Sequence, residues 1–200
     1  MFDPTLARMV AETRTQREAI FRSFEEVLIS DNTTTCRKRC THCCFWPFVV
    51  SVLEGAAIFE WLHKHHKWVP SLRDHVKSVA DKVTGLACQT WTCSNIPCPF
   101  LDRSGMCSIY PVRPLSCHLS VSFGDPESCQ YLKSSESIGR KAPILLAYHM
   151  QEERMLKHVG IKMYTMPLAT AVLIAADLYE QSVDMDRITT AIFLEHLGRL

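Results

Sequence analysis

Cys36, Cys40, Cys43 and Cys44 crowd into nine residues, in the run C-R-K-R-C-T-H-C-C, and no other feature of the chain constrains its fold as strongly. A second series follows at Cys98, Cys107 and Cys117, with Cys88, Cys93 and Cys129 around it, so all ten cysteines lie between positions 36 and 129. Thiolates packed this closely repel one another, and a soft cation that shares their charge stabilises them together. The rival arrangement, a disulfide framework, belongs to oxidising compartments. The opening M-F-D-P-T-L-A-R-M-V-A-E-T-R carries early acids and has no apolar core behind a basic start. It does not read as a secretory signal, so a cytoplasmic location is expected. In a reducing compartment clustered cysteines bind metal more often than they pair. The adjacent Cys43 and Cys44 are also sterically poor partners for each other.

Two hundred residues, 47% of them hydrophobic, suffice for one domain over positions 1–200 with a real core. A net charge of +1 provides no basic field, so nucleic acid is not an expected partner. The longest apolar stretch, L-A-T-A-V-L-I-A-A-D-L from Leu168 to Leu178, contains Asp177 and is too short to span a bilayer. It predicts a buried helix, and a soluble chain with no membrane partner.

Periodicity predicts helices at both ends. Leu6, Met9, Val10, Thr13, Arg17, Ile20, Phe21, Phe24, Val27 and Leu28 follow a three–four spacing, which predicts an amphipathic helix from about Thr5 to Ile29. D-N-T-T-T at positions 31–35 breaks it and delivers the chain to the first cysteines. After a short apolar run, Phe45 to Val50, Ser51 and Glu54 form an S-x-x-E capping box. The helix it opens should run through Glu60 and His66 with Ala57, Ile58, Trp61 and Leu62 inward, ending at Pro70; another is predicted from Leu72 to about Val83. From Gly85 to Gly139 periodicity fails, and prolines crowd in alongside six cysteines. A segment this poor in regular structure needs a covalent or metal staple. Helices return at Ile144 to His158, Leu168 to Glu180 and Asp186 to Leu197. The expected fold is mainly α: a helical domain enclosing an irregular, loop-rich, cysteine-rich metal-binding centre at about 36–129, flanked by an N-terminal helix and C-terminal helices.

C-x3-C-x2-C-C places several sulfurs on one tight turn. Zinc would take four tetrahedral nitrogen or sulfur ligands. An iron–sulfur cluster would take thiolates too, and Cys98-Pro99 resembles the Cys-Pro pairing common around such clusters. With more than four cysteines available, either two centres exist or some cysteines are bystanders.

C-x3-C-T-H-C-C, the apolar run with Glu54, and then C-P-F-L-D-R-S-G-M-C-S-I-Y-P-V-R-P-L-S-C together resemble the CxxCC, or YkgJ-like, family of zinc- or iron-chelating domains. The likeness runs from about Cys36 to Cys129, and its second block is long and specific. The resemblance implies chelation through Cys36, Cys40, Cys43, Cys44, Cys98, Cys107 and Cys117, with Cys129 as an eighth ligand. It implies bound iron, as ions or as an iron–sulfur cluster, or zinc. One departure stands out: the family usually has Arg after the closing cysteine, and this chain has His118. A flagellin lysine methylase is related to the family, which keeps an enzymatic reading open.

Other residues have plainer accounts. Cys88 and Cys93 fall outside the family pattern and behave by default as small buried hydrophobes. His63, His65 and His66, between Lys64 and Lys67, read as a solvated basic face. His42 and His118 adjoin ligand cysteines and are either donors or hydrogen-bonding support. Arg113 can offset residual thiolate charge, since a guanidinium stays protonated and donates several hydrogen bonds. Phe100, Ile109 and Tyr110 are expected to wall the site from water, and Glu54 is assigned to the helix cap. No Ser-His-Asp order, paired-carboxylate motif, H-E-x-x-H or G-x-G loop is present, so no catalytic or cofactor-binding residue is named.

The leading expectation is therefore a metal-binding protein with a structural, storage, delivery or sensing role, with the question of enzymatic activity left open. The alternative is a metal- or cluster-dependent enzyme, for example a protein lysine methyltransferase-like or redox protein. A third reading is a zinc-stabilised protein-interaction module, whose protein partner the residues do not identify.

Overall fold

In the computed structural model, residues 1–31, 40–122 and 135–181 are described. Cys36, Cys129 and the helix expected at 186–197 lie outside them. The architecture is mainly α, as the periodicity predicts.

Helix α1 spans Pro4–Asp31. It starts one residue before the apolar spacing indicates, because the Asp3 carboxylate accepts from the amides of Thr5 (2.8 Å) and Leu6 (3.4 Å). Pro4, which has no amide to satisfy, suits the first helical position. Leu6, Met9, Val10, Thr13 and Arg17 line its buried stripe, so a charged and a polar residue sit on the core face.

Two short strands organise the centre. Strand β1 (Val49–Ser51) pairs antiparallel with β2 (Thr165–Pro167), joining Val50 to Met166, and each strand runs straight into a helix. Those helices are α2 (Val52–Lys64) and α7 (Leu168–Gln181). The helices leave opposite ends of this short ladder and meet at Gly55 and Ala171. Three-residue strands carry too little alternation to register as a period, and the sequence reading has none. Ser51 caps α2 by accepting from the Glu54 amide at 3.1 Å. Residues 52–59 of α2 are all buried, so it is the central helix rather than an amphipathic one. It ends two residues earlier than expected, where His66 turns to a positive φ of 53° and the Lys67 amide donates to the Leu62 carbonyl at 2.8 Å. Pro70 then occupies the first turn of α3 (Pro70–Val83) instead of merely ending α2. Val76, Val79, Ala80 and Val83 face the core.

Among the described residues between α3 and position 122 the chain is irregular, as expected from Gly85 on, but not without structure. Helix α4 (Cys88–Cys93) and the four-residue α5 (Leu115–His118) interrupt it. Helix α6 spans Ser135–His158, beginning well before Ile144 and running through Pro143. A second, smaller cluster of Leu115, Leu119 and Tyr148, bordered by Ile20, Phe24, Ile144 and Leu145, packs α5 between α1 and α6. No helix among the described residues is long and apolar enough to cross a membrane.

Gly55 is where α2 meets α7. A methyl group there would lie 2.6 Å from the Ala171 carbonyl oxygen and 2.7 Å from its carbon, both backbone atoms that cannot rotate away. Gly55→Ala is expected to lower stability by about 1–3 kcal/mol through overpacking, read as a lower urea midpoint. An unchanged midpoint would mean the helices do not approach this closely.

Candidate metal centre

The first cysteine block is held by a 3-10 turn over His42–Phe45. The Cys44 amide donates to the Thr41 carbonyl at 2.8 Å and the Trp46 amide to the Cys43 carbonyl at 3.1 Å, so Cys43 and Cys44 sit on one tight turn. Fifty-four residues on, the Cys98 amide donates to the Cys44 carbonyl at 2.7 Å. That backbone bond stitches the two blocks together.

The second block is a chain of short turns. The Leu101 amide closes a turn on the Cys98 carbonyl at 3.0 Å, and Leu101 bridges to Cys107. Between them D-R-S-G-M folds back on itself. The Asp102 carboxylate accepts from the Ser104 amide (2.8 Å), the Ser104 hydroxyl (2.7 Å) and the Met106 amide (2.9 Å). These donors hold its carboxyl below the usual carboxylate range. Gly105, at a φ of 76°, supplies the left-handed residue the reversal requires. A 3-10 turn at Tyr110–Val112 and then α5 bring Cys117 back, its amide donating to the Pro114 carbonyl at 3.0 Å.

Cys43, Cys98, Cys107 and Cys117 are thereby gathered within electrostatic reach of one another, with Cys44 beside Cys43. Cys43 is pushed far above the ordinary thiol value, first by its hydrogen bond with Cys44, then by burial and the Cys44 charge, with Arg113 opposing. Burial pushes Cys98 up to about 12, and the Cys107 and Cys43 charges add to it. Burial raises Cys107, while Arg113 and the amide of Ile109 oppose. Cys117 is driven well above the usual range by burial and then by Cys43, Cys98 and Cys107. Without a cation these groups are therefore neutral thiols, the state that a crowd of buried sulfurs dictates. Among the described residues, no three or more His, Cys, Asp or Glu side chains already stand in a metal-holding arrangement.

Of the other candidates, Cys40 is half-buried and free. Cys36 and Cys129 lie outside the described residues, as does the side chain of Cys88. Cys93 is exposed at the end of α4, not a small buried hydrophobe. His118 is buried with its Nδ1 accepting from Arg113 Nε at 3.0 Å and its ring 3.8 Å from that of Phe21. Burial, then Arg113 and Arg17, push it down to about 3, so the imidazole is neutral. With Nδ1 accepting, its proton sits on Nε2 and neither nitrogen offers a lone pair to a metal. This geometry makes His118 a support for Arg113.

Among the described residues, Arg113 is the cation that acts on the thiols. Its guanidinium carbon lies 4.1 Å from the Tyr110 ring centroid and 5.8 Å from that of Phe21, and its charge acts on Cys43, Cys107 and Cys117. Phe100 and Ile109 are buried as expected, but Tyr110 is 57% exposed. It lies over Arg113 rather than walling the sulfurs from water.

The sequence reading missed the ties that fasten this loop to the helices. Glu54 completes its capping box by accepting from the Ser51 amide, and its Oε1 also accepts from the Leu115 amide at 2.8 Å, at the start of α5. Arg17 Nη1 donates to the Val112 carbonyl at 3.1 Å. A buried Arg on the apolar stripe of α1 was the available signal. Glu54 had none beyond its cap.

Comparison with known families agrees with this picture. The family model CxxCxxCC, described as "Putative zinc- or iron-chelating domain", matches residues 35–138. This chain carries one residue more than that spacing between Cys36 and Cys40. No curated protein and no solved structure matches the chain.

Lysine cannot reproduce the Nε hydrogen bond to His118 or the flat stacking on Tyr110. Arg113→Lys is therefore expected to cost about 1–2 kcal/mol of stability in urea unfolding, despite conserving charge. A variant as stable as the parent would reduce Arg113 to its charge alone.

Proposed function

Because the chain belongs to the CxxCxxCC family, we propose that it binds iron or zinc through thiolates drawn from both cysteine blocks, and that the metal closes the 98–117 loop onto the 43–44 turn. The ligand set of this reading is Cys36, Cys40, Cys43, Cys44, Cys98, Cys107, Cys117 and Cys129. Residues 1–200 act as one domain around it. The observation that carries the reading is the Cys98-to-Cys44 backbone bond, which places Cys98 beside a turn rich in sulfur and leaves five described thiols coupled in charge.

The donor chemistry fits a soft or borderline metal. Buried sulfur suits zinc or iron, whereas calcium and magnesium require oxygen. When bound, the metal supplies the positive charge that lets neighbouring sulfurs ionise together. The rest belongs to the chain. Arg113 offsets the charge that remains, Asp102 holds the reversal between Cys98 and Cys107, and Glu54 anchors the helix that carries Cys117. Such a centre serves as a structural staple, or as a site for storing, delivering or sensing metal.

Purification without oxygen or chelator, followed by elemental analysis and an absorbance spectrum, tests this. Bound iron or zinc is expected, iron–sulfur giving a brown protein and zinc a colourless one. Cys43→Ser and Cys117→Ser should each cut metal content, one from each block. Full metal content in both variants would sink the shared centre. Metal removal is expected to speed amide exchange over residues 98–118 while α2 and α7 keep their protection. Equal protection with and without metal would refute the staple.

A further inference from the structure

Behind the cysteine loop lies a buried polar cluster that the metal reading does not use. Arg17 on α1, Ser51 and Glu54 at the start of α2, and Tyr148 and Glu152 on α6 are each at most 2% exposed. The Ser51 hydroxyl donates to Glu152 Oε1 at 2.7 Å and accepts from the Glu54 amide. Tyr148, one helical turn before Glu152, brings its hydroxyl toward the same carboxyl. Two carboxyl groups and one guanidinium thus share a site closed to water.

We infer that Glu152 is a neutral carboxylic acid, and that with ionised Glu54 and Arg17 it forms a charge-balanced lock fastening α6 to α1 and α2. The assignment follows from counting donors. Burial raises the Glu54 carboxyl as well, but the Leu115 and Ser51 amides and the Arg17 charge all act against that and favour its carboxylate. Glu152 receives the Ser51 hydroxyl at Oε1, and its enclosed Oε2 has no partner within hydrogen-bond distance among the described residues, the Tyr148 hydroxyl only leaning toward the carboxyl. A buried carboxylate with one close donor and a second carboxylate nearby neutralises rather than remain charged. One arginine balances one carboxylate, which leaves the proton on Glu152. Burial, reinforced by the Glu54 charge, drives Glu152 well above the ordinary glutamate range, with Ser51, Tyr148 and Arg17 opposing. Among the described residues, the groups acting on it are Arg17 from α1, Ser51 and Glu54 from α2, and Tyr148 from its own helix. His118 on α5 also feels the Arg17 charge.

The sign of the pH dependence follows. Below the ordinary glutamate value both folded and unfolded chains hold the proton, and Glu152 contributes no slope. Above it the unfolded chain releases the proton and the folded chain keeps it. Stability therefore falls as pH rises, until the folded carboxyl also ionises. The lock does not depend on which metal is bound.

Glu152→Gln tests this, because an amide oxygen still accepts from Ser51 and the amide nitrogen stands in for the acid O–H. Urea unfolding of both proteins between about pH 5.5 and 7.5 gives the ratio of wild-type to variant unfolding constants, in which other titrations cancel. That ratio is expected to rise about tenfold per pH unit, the slope of one proton. A flat or falling ratio overturns the inference. Infrared spectroscopy with isotope-labelled glutamate is the second readout. A protonated-carboxyl band at neutral pH, lost in Glu152→Gln, supports the assignment. Its absence from the wild type, or its survival in the variant, overturns it. If the variant does not fold, the wild-type band alone decides.

Discussion

Everything about the cysteine loop depends on one buried carboxylate. Glu54 caps α2 on one side and receives the Leu115 amide on the other, joining residues 61 apart in sequence. Burial pushes the Glu54 carboxyl up, and the Leu115 and Ser51 amides and the Arg17 charge oppose that rise. Breaking any one of those contacts would leave an unbalanced charge in the core, so the arrangement holds as a unit. The first turn of α5 is thereby pinned to the central helix, and Cys117 follows two residues later. Arg17 adds a second pin at Val112. The loop between the cysteines is irregular, yet both of its supports are among the most deeply buried groups in the molecule.

The frame that supplies these pins was legible where helices are long and one-sided. The α1 stripe, the Ser51 cap and the apolar run of α7 could each be read from spacing or residue type. The early start of α6 could not, because Pro143 argues for a boundary that the folded chain passes through. Strands β1 and β2 were invisible for a different reason. Three residues make too short a pattern, and their pairing joins Val50 to Met166 across most of the chain. What fixes them is the helix each one feeds.

At the candidate centre, residue types were legible and their supports were not. Density marked the first cluster, Cys43 and Cys44 included, and the family resemblance singled out Cys98, Cys107 and Cys117 from the other cysteines. Residual thiolate charge marked Arg113 as the offsetting cation, and that residue's charge does act on three of the thiols. Tyr110 and His118 fared differently. One is exposed and stacked on Arg113; the other accepts from it. Both roles depend on where a single guanidinium points, which no spacing rule encodes. Phe21 likewise looked like one more core residue of α1, and it packs against the His118 ring.

The segment that carries the family likeness does not support itself. Among the described residues its cysteine turns contain only short helices, and the apolar side chains they bury, Phe100, Ile109 and Leu115 among them, pack against other elements. Arg17, Phe21, Tyr148 and Glu152 come from α1 and α6, and the surface against which Gly55 closes comes from α7. Residues on both flanks therefore complete what lies between them. This explains why the chain keeps charged and polar groups on otherwise apolar helix faces, at the cost of burying them. A helix packed by apolar contacts alone can slide or rotate against its neighbour with modest penalty. One that must present Arg17 to Val112, or Ser51 to Glu152, has a single register. Specific position, more than stability, is what these buried polar contacts contribute, and a loop that must bring sulfurs from distant blocks to one place needs that most.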